Sequence, residues 1–135
     1  MLVSIFAAAL LATAPTSELK VDVGHADWRA LPALKQVNRA LPTPEMVQKV
    51  EQMLVSGDCH IRGQSPARFD ITVPYAVQVN PDGTASHVVV GEMGCPALES
   101  YAGLIVLELA RQGDFHASAA GEPKWYASSL NFNEQ

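Results

Sequence analysis

Phe69-Asp70-Ile71-Thr72-Val73-Pro74-Tyr75-Ala76-Val77-Gln78-Val79 sets apolar residues at odd positions against polar or small ones at even positions. Successive side chains of a strand point to opposite faces, so this period of two predicts a strand with one face in a core. Pro74 has no backbone N–H to give to a ladder, which predicts that the strand lies at a sheet edge or carries a bulge there. Asn80-Pro81-Asp82-Gly83 follows as a tight turn: proline presets the first central dihedral and glycine takes a positive one. Thr84 to Val90 then returns antiparallel as the second strand of a hairpin.

The flanking segments change period from two to that of a helix. Upstream, Thr43-Pro44-Glu45 carries an N-cap residue, a proline for the first helical position and an acidic residue in the first turn. Met46, Val47, Val50, Met53 and Leu54 then fall on one face as far as Ser56, and Gly57 stands where a left-handed stop is needed. Downstream, Pro96 opens a second helix whose apolar face is Leu98, Tyr101, Ala102, Ile105, Val106 and Leu109, with Gly113 closing it. Lys124 to Phe132 alternates again and reads as a third strand. The expected fold is therefore α+β, a β-β-α-β module with a small antiparallel sheet, one helix packed on its face and an additional N-terminal helix.

The N-terminal region reads differently. Leu2 to Leu11 is apolar and ends in Ala12-Thr13-Ala14, the outline of a secretory signal peptide over residues 1–17. A short membrane tether and a buried N-terminal helix are the alternatives, and a full span would need about 20 apolar residues. Residues 18–42 hold Trp28, Leu31, Leu34, Val37 and Leu41 among Pro32 and Pro42 without a strand period. This lead-in is expected to pack loosely, with a short helix through Leu31, Leu34 and Val37 or with Trp28 as an anchor. The folded domain is then 43–135.

Composition excludes several function classes. The chain carries 9 Lys and Arg against 14 Asp and Glu, for a net charge of −5 and no basic run, so the electrostatic footprint of a nucleic-acid binder is missing. Cys59 and Cys95 are the only cysteines, an even pair in a chain read as exported to an oxidising compartment. A single disulfide is expected, with two buried thiols as the alternative. Closing a loop of this length stabilises a fold by about 4 kcal/mol in the chain-entropy account.

No catalytic or cofactor site emerges. There is no Gly-x-Ser-x-Gly elbow and no Gly-rich phosphate loop, and a Cys nucleophile with His60 or His87 as base competes with the disulfide. Cys59, His60, His87 and Cys95 are ligand types without zinc spacing, and His25 and His116 stand apart. The expectation is a protein that is not an enzyme and holds no metal or cofactor.

The order of three motifs carries a resemblance. Val77-Gln-Val-Asn-Pro-Asp-Gly-Thr-Ala-Ser-His-Val-Val-Val90, Gly94-Cys95-Pro96-Ala97-Leu98-Glu99 and Leu109-Ala-Arg-Gln-Gly-Asp-Phe115, followed by the closing strand, resemble the TonB C-terminal domain family. That family pairs a hairpin with a Gly-Cys-Pro-x-Leu-acidic helix start, an aromatic after the helix and a final strand. The resemblance spans Phe69 to Phe132. It implies a periplasmic module acting in envelope transport that binds a protein partner, such as an outer-membrane receptor segment, by adding an extended strand to its sheet edge. The matching edge is the final strand, with Lys124, Trp125, Tyr126, Ser128 and Leu130 as partner-binding residues, core or cross-strand packing of its aromatics as the alternative, and a homodimer through the sheet edge as a further expectation. No long Pro-rich spacer precedes the domain, so a stand-alone envelope interaction protein without an energy-transducing role is the alternative.

Overall fold

The computed structural model describes residues 20–34, 41–112, 115 and 124–134. The segment read as a signal peptide, Val37 of the lead-in, Gly113 and His116 lie outside the described residues. Among the described residues four strands form one mixed sheet: β1 (Lys20–Gly24), β2 (Asp70–Val79), β3 (Ala85–Gly91) and β4 (Lys124–Asn133), in the spatial order β1-β3-β2-β4. Two helices, α1 (Pro44–Ser56) and α2 (Pro96–Arg111), share one core with a face of that sheet.

The local reasons are those of the sequence. At the start of α1, Thr43 Oγ1 accepts the Met46 N–H at 3.3 Å, and Gly57 ends the helix at φ 86°. Val47, Val50, Met53 and Leu54 are buried. The β2–β3 turn closes with Gly83 N–H donating to Asn80 O at 2.9 Å, with Gly83 at φ 88°. Ile71, Val73, Tyr75, Val77 and Val79 all face the helices and are buried, beside Val88, Val90, Leu130 and Phe132. α2 lies over β3 and β1, and α1 lies toward β4.

The Gly94–Glu99 motif has a concrete structural role. Gly94 adopts φ 78°, Cys95 is the N-cap of α2 with its Sγ accepting the Leu98 N–H at 3.4 Å, and Pro96 begins the helix. Glu99 is buried, and its carboxylate accepts the N–H groups of Met93 at 2.6 Å and Gly94 at 3.0 Å. Cys95 is also bonded to Cys59 across 36 positions of chain. The expected disulfide is therefore present.

Three expectations are corrected. The sheet is mixed and not purely antiparallel, because β1 pairs with β3 in parallel, Val21 opposite Val88 and Val23 opposite Val90. The lead-in holds that strand, then one turn of 3-10 helix at Trp28–Ala30, and is extended at Pro32–Leu34, where one of the two readings of the sequence put a short helix. Trp28 is half-buried on that turn, which packs on β2 and β4.

Pro74 supplies the third correction, since β2 is central, paired with β3 and β4, and its one register shift falls at Gln78 and Val79. Ala127 of β4, opposite Ala76, points its N–H and C=O away from β2. By the alternation of an antiparallel ladder, Ala76 and Pro74 then direct their backbone groups toward β3. The β3 ladder stops one residue short, at Tyr75 opposite Val90, so the missing N–H falls where the pairing ends. Gly91 faces the ring there; a Cβ on it would lie 2.6 Å from Pro74 Cγ.

Candidate partner-binding edge

β4 is a terminal strand of the sheet. Its even-numbered residues lie on the helix side: Lys124 is exposed, Tyr126 and Ser128 are half-buried, and Leu130 is 2% exposed and belongs to the core. Of the five side chains expected at a partner interface, only Trp125 faces the opposite, outer side. Leu130 contributes packing, because a residue so enclosed has no surface left to offer.

Backbone groups matter more than side chains when a strand is added to an edge. Ala127 donates its N–H to Pro32 O at 2.9 Å and accepts the Leu34 N–H at 2.9 Å, an isolated parallel bridge with Ala33 at its centre. Alternation along β4 then aims the backbone groups of Ser129, Asn131 and Asn133 outward as well. These three residues were not singled out in the sequence. Their signal was the polar side chain at every second position after Ala127.

Those polar side chains also hold β4 to β2. The Asn131 amide donates to Asp70 Oδ1 and to Thr72 Oγ1, each at 2.7 Å, and the Asn133 amide donates to Asn131 Oδ1. The edge therefore has a fixed register against its neighbour before any partner arrives.

Residues 25 to 34 run over the outer face of the sheet between the two edges. They leave a cleft of about 310 Å³ above Ala76, Val89 and Trp125, roofed by Ala26, Ala30 and Leu31 and rimmed by His25 and Asp27. Ala76 is 1% exposed although it lies on the outer face, because this segment covers it. Trp125 stands at the cleft wall with its ring edge-on to His87, centroids 5.3 Å apart at 60°. His87 Nε2 in turn lies 2.6 Å from Asp22 Oδ2, so side-chain contacts cross from β4 through β3 to β1.

The other candidates of the sequence have plain places. Both cysteines are in the disulfide, so neither sulfur is a free nucleophile or a thiolate ligand. His25 Nε2 lies 3.1 Å from Glu92 Oε2 on the surface, and His60 is exposed beside Gly57. Among the described residues, no group of three or more His, Cys, Asp or Glu side chains is placed to hold a metal ion. Nor is any described helix long and apolar enough to cross a membrane. No protein-family model, curated protein or solved structure matches this chain.

Proposed function

We propose that this chain is a periplasmic binding module of the TonB C-terminal type, which takes an extended protein segment along the outer edge of β4. The observation that carries the reading is the bridge at Ala127, where Pro32–Leu34 already bonds to that edge through an isolated parallel bridge. The edge makes two backbone hydrogen bonds with a segment of its own chain, and Ser129, Asn131 and Asn133 continue the row of outward groups. Main-chain bonds of this kind supply affinity with little demand on partner sequence. Trp125 in the adjoining cleft supplies apolar contact area.

The same bridge favours a second reading, a stand-alone envelope interaction protein whose edge is closed by its own lead-in. Edge strands are commonly covered in this way to prevent unwanted pairing. A titration separates the two. TonB-box-like receptor peptides are added to the protein in a Trp28→Phe background, so that Trp125 alone reports. Saturable quenching that is lost in Ser129→Pro, which removes one outward N–H and keeps the β2 ladder, supports strand addition. An unchanged signal at high micromolar peptide moves the conclusion to the second reading.

A further inference from the structure

The sheet has a second edge, and we infer that β1 is where two copies of this chain pair, antiparallel about a twofold axis through Val21. This does not rest on the β4 reading: it concerns the opposite side of the sheet and a different occupant.

β1 ends the sheet, and among the described residues nothing pairs on its outer side. Val21 and Val23 are 38% and 48% exposed, and Leu104 on the neighbouring helix is 61% exposed. The direction of the backbone follows from one bond: Glu92 N–H donates to Gly24 O at 3.1 Å, so Gly24 faces β3. Alternation then turns Lys20 and Asp22 toward β3 as well, and aims the N–H and C=O of Val21 and Val23 into solvent.

An antiparallel partner strand must match outward residues with outward residues; of the registers centred inside the strand, the one through Val23 sets Asp22 against Gly24 and pairs no opposite charges, and two remain. One puts Asp22 opposite its own copy, a like-charge pair on adjacent strands. The other puts Val21 on the axis, so that Lys20 faces Asp22 of the second copy and Asp22 faces its Lys20. Opposite charges directly across a strand pair are favourable and like charges are not, so charge selects the register through Val21. Its two ion pairs are related by the symmetry, as an isologous interface requires.

The apolar side chains agree with that axis. Val21 and Val23 lie on the helix side of the sheet, like Val88 and Val90 with which they pair. α2 comes down close on β1 because Gly103 has no side chain; a Cβ there would lie 2.9 Å from Val21 Cγ1. Leu104 is the next residue and is exposed, and half-buried Leu107 follows one turn on. Pairing at β1 brings α2 next to its copy and covers these side chains together with the valines.

Sedimentation equilibrium of the purified chain over a range of concentrations tests the inference. A monomer–dimer equilibrium is expected, weakened roughly tenfold by Lys20→Asp or by Asp22→Lys, because each turns two attractive cross-strand pairs repulsive. Mixing the two variants one to one restores association, since each supplies the charges the other lacks. Lys20→Asp leaves the His87–Asp22 contact in place, so its melting curve separates lost association from lost folding. Val21→Pro removes the outward N–H on the axis and is expected to abolish the dimer. A monomer at every concentration overturns the inference, as does association that the single variants leave unchanged. Either result is independent of whether peptides bind β4.

Discussion

Glu99 is the residue whose burial most needs a reason, since a carboxylate is rarely so enclosed without partners. It is 7% exposed and accepts two backbone N–H groups, those of Met93 and Gly94, which fold the loop onto the start of α2. Replacing it by alanine strands both donors in a confined place. Glu99→Ala is expected to destabilise the fold by about 2–3 kcal/mol, read by urea denaturation, and Glu99→Gln by less because one acceptor oxygen is retained. Asp82 gives a pH-dependent case. The Thr84 hydroxyl at 2.6 Å and then the Thr84 N–H at 3.0 Å hold its carboxyl below the ordinary value of 3.8. A depressed folded value means the contribution is complete above that ordinary value and is lost as pH falls through the lower, folded one. Melting temperatures of the protein and of Asp82→Asn should therefore differ at neutral pH and converge in strong acid.

At the scale of elements, what could be read in the sequence depended on how local each cause is. α1 was legible to the residue, because Thr43, Pro44 and Gly57 act on their own neighbours. β2 was legible in its faces, since Ile71 to Val79 alternate in burial as in polarity except at Ala76, which the segment over the outer face covers. Its central position was not, because Pro74 is tolerated through the end of the β3 ladder, a fact of pairing that no window around Pro74 contains. β1 escaped for a related reason: its alternation of Lys20, Val21, Asp22 and Val23 is short and mostly exposed, and its partner lies far along the chain. One distant signal did exist in Gly103, a glycine inside the apolar stretch of α2, where it costs about 1 kcal/mol relative to alanine. It is there because Val21 occupies the space a side chain would take. Gly103→Leu should push β1 off the sheet; hydrogen exchange at β1 amides is expected to accelerate selectively while those of β2 stay protected. For the candidate site, the terminal place of β4 was expected only from the resemblance to the TonB C-terminal domain family, and the sheet order bears that place out. Which of its residues face outward was not legible, since that is set by the phase of the ladder with β2.

Over the whole molecule, two devices join parts that the sheet alone would leave independent. The segment from His25 to Leu34 links β1 at one edge to β4 at the other, so the two surfaces share a covalent strap across the outer face. The disulfide acts on the helix side. Cys59, just past α1, is tied to Cys95 at the N-cap of α2, with Cα atoms 5.3 Å apart. The hairpin and β2 lie inside the loop it closes, and so does much of the core. In the chain-entropy account a loop of 36 positions restricts the unfolded ensemble enough to stabilise the fold by about 4 kcal/mol. Small domains hold only about 5–15 kcal/mol in total, so this one bond is a quarter or more of the margin. The paired variant Cys59→Ser with Cys95→Ser, or reduction of the native chain, should lower the urea midpoint by a corresponding fraction. Because β4 lies outside the loop that the disulfide closes, binding at that edge is expected to survive wherever the reduced protein is still folded. Peptide titration and denaturation on the same reduced sample check both halves, and loss of binding from a folded sample would mean that the bond positions the edge.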